Sequence, residues 1–152
     1  MSVVSVSIVI DAPLEEVFGL SMDPFRTPEW VTIVRGVHDV DDGPLRVGFR
    51  MGQTLCLRGV KFKVRWELKE LDAPRFARWE GKGPARSVAI IEDQLSPEGE
   101  GTRFDYRNEF RTPFGALGAV ASGVLVGGIP EREATASLRR FKAMVESPVG
   151  AY

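Results

Sequence analysis

Apolar and polar positions alternate through most of the chain. Val4, Val6, Ile8 and Ile10 are interleaved with Ser5, Ser7 and Val9, a period of two rich in β-branched residues that predicts a strand. Asp11 then precedes Ala12-Pro13-Leu14-Glu15-Glu16. An aspartate placed to cap, an early proline and two acids in the first turn predict a helix start. That helix runs from Leu14 to about Ser21 with Val17, Phe18 and Leu20 as its apolar side, and Asp23-Pro24 opens a second short helical piece or turn ending near Glu29-Trp30. From Ile33 to Gly101 the pattern reads as a meander. Strands are expected over Ile33 to Val40, Leu45 to Gln53, Val60 to Lys69, Arg75 to Glu80 and Arg86 to Leu95, with turns at Asp41-Asp42-Gly43-Pro44, Asp72-Ala73-Pro74 and Gly81-Lys82-Gly83-Pro84. The third of these is the clearest: Phe62, Val64, Trp66 and Leu68 alternate with Lys61, Lys63, Arg65 and Glu67, one wet face and one dry. A last strand, Thr102 to Arg111, sets Phe104, Tyr106, Asn108 and Phe110 opposite Arg103, Asp105, Arg107 and Glu109.

After Thr112-Pro113 the period changes. Leu117, Val120 and Val124, then Ala134, Leu138, Phe141 and Val145, recur at helical spacing, interrupted by Gly127-Gly128-Ile129-Pro130. Two helices and one kinked helix fit this equally. The order of elements is strand, two short helices, six strands and a long C-terminal helix. An α+β architecture follows, a curved antiparallel sheet of about seven strands wrapped around the C-terminal helix, because that arrangement buries every apolar face at once.

Composition narrows the picture. The 152 residues suit one domain spanning 1–152. A net charge of −1 gives no bulk attraction to nucleic acid or an anionic membrane. The single cysteine, Cys56, excludes an internal disulfide and fits a reducing, cytoplasmic setting. The N-terminus lacks the basic-then-apolar pattern of a signal peptide. The uncharged stretch from Thr112 to Pro130 is read as a buried, interrupted helix and not as a membrane span.

The segment Ile10-Asp11-Ala12-Pro13-Leu14-Glu15-Glu16-Val17-Phe18, with Asp23 and Trp30 downstream, resembles the START-like (SRPBCC) superfamily, and within it the polyketide cyclase/dehydrase group. Gly101-Thr102-Arg103-Phe104, Pro113-Phe114-Gly115 and Leu138 with Phe141-Lys142 match the same pattern. The resemblance covers nearly the whole chain. It implies the helix-grip fold with a cavity between sheet and C-terminal helix. Members of the superfamily bind or transfer apolar ligands, cyclise polyketides, or serve as metal-dependent oxygenase domains. The matching motifs hold turns and core contacts, so function must be argued from the site.

Candidate chemistry is sparse. His38 is the only histidine. With one cysteine besides, zinc sites of His and Cys, Rieske clusters and two-His iron sites are excluded within one chain, and no metal or cofactor is expected. His38, beside Asp39, reads as a surface residue. Asp39, Asp41 and Asp42 read as a polar turn, since the calcium-loop register fails. No phosphate-cradling glycine loop and no G-x-S-x-G elbow occur. Arg78 and Trp79 compete for the inward face of their strand, and Trp79 is favoured there because tryptophan gains more from burial. One of Glu92 and Asp93 must also point inward.

The expected site is an apolar pocket between sheet and C-terminal helix, lined by Trp66, Phe104, Tyr106, Asn108, Phe110, Leu117 and Val120, with Tyr106 and Asn108 as the polar groups that orient a ligand. The leading reading is a binder of a small hydrophobic molecule, for transport or sequestration. The alternative is a cofactor-free cyclase or dehydratase, with Tyr106, Arg78, Glu92 and Asp93 as candidate acid–base groups. A third class is an interaction module forming a homodimer.

Overall fold

The computed structural model describes residues 2–111 and 130–147. Within them the chain forms a seven-stranded antiparallel sheet and three helices, the α+β architecture that the alternation implied and the helix-grip fold that the resemblance implied. The strands are β1 (Ser2–Ile10), β2 (Val34–His38), β3 (Arg50–Leu57), β4 (Val60–Asp72), β5 (Phe76–Lys82), β6 (Val88–Glu98) and β7 (Gly101–Arg111). Their order is β1-β7-β6-β5-β4-β3-β2. Apart from β1, each strand pairs with its neighbour in sequence, and the N-terminal strand pairs along β7.

The helices are α1 (Leu14–Ser21), α2 (Thr27–Trp30) and α3 (Glu131–Glu146). α1 and α2 span the gap between the edge strands β1 and β2, and α3 packs on β1 and α2. α3 begins afresh after Pro130, which is extended (φ −64°, ψ 145°), with Glu131 and Glu133 in its first turn. Whether a further helix or a kink precedes it falls on residues outside the described set. Its buried side, Ala134, Leu138, Phe141 and Val145, is the stripe read from the sequence. The end of α3 is tied to the end of β1: Lys142 Nζ donates to the Val9 carbonyl (2.7 Å), and the Asp11 backbone N–H donates to the Glu146 carboxylate (2.7 Å).

Two local expectations fail. Asp11 does not cap α1; Pro13 stands at that position with no side-chain cap, and Asp11 lies two residues earlier, its backbone N–H donating to Glu146. The strand expected over Leu45 to Gln53 runs from Arg50 to Leu57. Gly43 and Gly48 lie at positive φ and keep the segment before Phe49 irregular. The turn comes later, at Arg58 (φ 52°) and Gly59 (φ 80°), the two left-handed residues of a tight hairpin.

Candidate functional site: a cavity under the sheet

The concave side of the sheet divides into a packed end and a hollow end. At the packed end Phe104 of β7, Trp30 of α2 and Phe141 of α3 lock together. Ring centroids are 4.7 Å apart for Trp30–Phe141 and 5.5 Å for Phe104–Phe141, the latter edge-to-face. Phe104 and Phe141 are fully buried.

The hollow end is a cavity of about 100 Å³. That is well above the roughly 10–15 Å³ needed to hold one water, so it is a real space and not a packing defect. Its described walls are the inward side chains of β3 to β7, with Met22, Trp30 and Val31 from the α1–α2 segment. They are overwhelmingly apolar, and Trp30, Trp66 and Trp79, all three tryptophans of the chain, contribute to them.

Trp66 is fixed from two sides. Its indole N–H donates to Gln53 Oε1 across the β3–β4 pair (2.9 Å), and both groups are buried. Its cross-strand partner is Gly81. A Cβ at Gly81 would lie 2.6 Å from the Trp66 ring, so only glycine leaves room for the indole there.

The polar groups of the cavity converge on the paired strands β6 and β7. Asp93 is the cross-strand partner of Tyr106, and Asn108 Nδ2 donates to the Tyr106 hydroxyl (3.4 Å). Asp93 is 5 % exposed, and its Oδ1 has no hydrogen-bond partner. Burial pushes its carboxyl up from 3.8 to about 7. Burial, followed by the Asp93 carboxylate, drives the Tyr106 phenol far above its usual range, against the opposing effect of the Asn108 hydrogen bond. The Trp30 indole N–H, on the α2 side, is buried and also has no partner. Unpaired buried polar groups are costly, so donors and acceptors left open inside one cavity suit an occupant that completes them.

Most of the residues singled out from the sequence meet here. Trp66, Tyr106, Asn108 and Phe110 line the cavity. Phe104, expected among them, belongs to the packed end, because α3 seats its Phe141 directly on that ring. Leu117 and Val120 lie outside the described residues. Trp79 takes the inward face, buried, while Arg78 turns out to Glu70 (3.5 Å). The choice between Glu92 and Asp93 is also settled. Asp93 faces the cavity, and Glu92 pairs outside with Arg107 (3.1 Å). Arg107 and Arg111 both hold Glu109 on that outer side. Burial opposes the charge of Glu109, but the two guanidinium groups outweigh it and keep its carboxyl below the ordinary range.

Trp30, Gln53 and Ser87 also line the cavity, although alternation did not mark them. The only available signal was Gln53 standing opposite the apolar β4 face. His38 lies on the outer side against Gly52, with Nδ1 3.0 Å from the Asp39 carboxylate. Among the described residues, no three His, Cys, Asp or Glu side chains gather as a metal site requires. No described helix is long and apolar enough to cross a membrane.

Residues 1–146 match the family model for polyketide cyclase / dehydrase and lipid transport. Among solved structures, a Thermus thermophilus protein is similar at 20% identity, covering 94% of this chain and 96% of its own, with a TM-score of 0.74. A Chromobacterium violaceum protein is also 20% identical, over 97% of this chain and 99% of its own, with a TM-score of 0.70. DynU16, from the dynemicin biosynthetic locus, is 14% identical with a TM-score of 0.64, covering 97% of this chain but 48% of its own. At these identities the likeness establishes the fold. No curated protein matches the sequence.

Proposed function

The chain belongs to the polyketide cyclase / dehydrase and lipid transport family, and from that premise we propose that it binds a small hydrophobic molecule in the cavity beneath β3–β7. The observation that carries this reading is the cavity itself: an apolar, tryptophan-rich space with only a few polar groups, of which Asp93 Oδ1 and Trp30 Nε1 are unpaired. Small-molecule sites have this composition, with apolar walls supplying affinity and sparse polar groups supplying orientation. At about 100 Å³ the space is nearer to a cavity of roughly 150 Å³ that takes benzene than to drug-sized pockets of roughly 300–1,000 Å³. A single-ring compound is therefore the size class that fits without rearrangement.

The test is calorimetric titration of the purified chain with toluene, beside Ala89→Trp, which extends a large side chain from the β6 wall into the space. Binding by the native chain, and its loss in a variant of near-native stability, is expected. A native chain that binds no apolar probe, together with a variant that unfolds by overpacking, would show a filled core and end this reading.

Asp93 supports a second reading, a cyclase- or dehydratase-type reaction. A carboxyl whose proton leaves near pH 7, next to a phenol and an amide, is suited to move a proton on a bound carbon chain. Turnover of a polyketide-like substrate that is lost in Asp93→Asn, with binding retained, would favour it over binding alone.

A further inference from the structure

The cavity contains one acid and no base. Asp93 is its only carboxylate-bearing wall residue among those described, and no lysine, arginine or histidine lines the space. The residues outside the described set cannot supply that base from a side chain, because 112–129 and 148–152 contain no lysine, arginine or histidine at all. Among the described residues, Asp93 therefore has no cationic side chain beside it on the cavity wall. Tyr106 is, among the described residues, the one other ionisable group on the cavity wall, and it cannot be cationic. Tyr106 stands beside Asp93 as its cross-strand partner, and Trp66, Trp79 and, on the helical side, Trp30 line the same cavity.

We propose that the cavity selects an apolar amine, held by its ammonium group against Asp93 and by its hydrocarbon body among the tryptophans. The proposal rests on the binding reading above and names the chemical class of the ligand. A cation supplies the charge that Asp93 lacks, and the faces of indole rings attract it further once water is excluded. Above about pH 7, where Asp93 is ionised, a carboxylate of the same size meets like charge in a poorly screened space. A neutral molecule is admitted but leaves Asp93 to be satisfied by a proton.

Proton exchange gives this a distinctive signature. Empty, Asp93 holds its proton to about pH 7. An ammonium ion entering below that pH favours the carboxylate, so the proton leaves for solvent as the cation arrives and the charge of the site is balanced. Toluene displaces no proton.

The experiment is isothermal titration of the native chain and of Asp93→Asn with four probes of one size: toluene, benzyl alcohol, benzylamine and benzoate. It is run at pH 6 in buffers of differing ionisation heat, and again at pH 8. For the native chain at pH 8, benzylamine should bind at least tenfold more tightly than benzyl alcohol, and benzoate should be weakest. At pH 6, benzylamine should release a fraction of a proton approaching one. In Asp93→Asn the amine preference and the proton release should vanish while toluene still binds, which also shows that the variant is folded. Toluene binding with benzoate within threefold of benzylamine, or an amine preference that survives in Asp93→Asn, would overturn this inference and leave the binding reading standing. If toluene itself does not bind, both fall.

Discussion

β7 runs through two regions that use the same alternation in different ways. At its start, Phe104 meets Trp30 and Phe141 and leaves no space. One and two steps of the alternation further on, Tyr106 and Asn108 face the cavity, with the unpaired Asp93 opposite Tyr106. The helix makes the difference. Where α3 brings a large ring onto the sheet, the inward face becomes core. Away from that ring, the same face becomes a wall. The packed end should therefore carry stability, and the hollow end should carry chemistry at some cost to stability.

The comparison can be broken most forcefully at Phe141. Phe141→Ala should cost about 3–5 kcal/mol in urea unfolding, because the ring is fully buried between two aromatics. A loss below about 1 kcal/mol would make the packed end peripheral. Asp93→Asn should do the reverse and stabilise the protein above neutral pH. The folded carboxyl keeps its proton to about pH 7, whereas the unfolded one loses it near 3.8. Unfolding between these values releases a proton, so the stability of the native chain falls as pH rises through that window and levels off above it. The difference corresponds to at most on the order of 4 kcal/mol. Asp93→Asn should lack this slope, with the two proteins converging below pH 4 and diverging at pH 8; parallel curves would refute the account.

Smaller effects sharpen the hollow end. Gly81→Ala should cost roughly 1–3 kcal/mol by pressing on the Trp66 ring. Its benzylamine and toluene affinities should both change as the indole shifts. Gln53→Leu leaves the Trp66 N–H buried without an acceptor and should cost about 1–2 kcal/mol by thermal melting. The exposed pair of Arg26 and Glu29 on the helical segment belongs to neither region, and Glu29→Gln should change stability by less than about 1 kcal/mol.

The sheet was legible in the sequence because a strand with one wet face writes its register in its residues. Val64, Trp66 and Leu68 against Lys63, Arg65 and Glu67 leave one solution, and the structure adopts it. The greater gain of tryptophan on burial chose Trp79 over Arg78. Alternation could not choose between Glu92 and Asp93, since both neighbours are acidic and the β6 pattern is apolar on both sides at Ile90 and Ile91. The most informative residue of the cavity was thus visible only as one of a pair. The division into packed and hollow ends was hidden for another reason. Phe104 and Phe110 are chemically identical on one face, and only the placement of Phe141 makes the first core and the second wall. Asp11 misled because α1 starts at Leu14, which leaves Pro13 and not Asp11 at the capping position.

All three indoles of this protein stand on the wall of one cavity. Excited near 295 nm, where the two tyrosines contribute little, the chain has no tryptophan remote from the site to dilute the signal. Its emission is in effect a built-in optical gauge of what fills that space. Any occupant that displaces water should shift the spectrum to the blue, and a quenching group brought against the rings should darken it. A compound collection could then be surveyed on the unlabelled native chain, with Trp30, Trp66 and Trp79 changed singly to phenylalanine to show which wall the occupant touches.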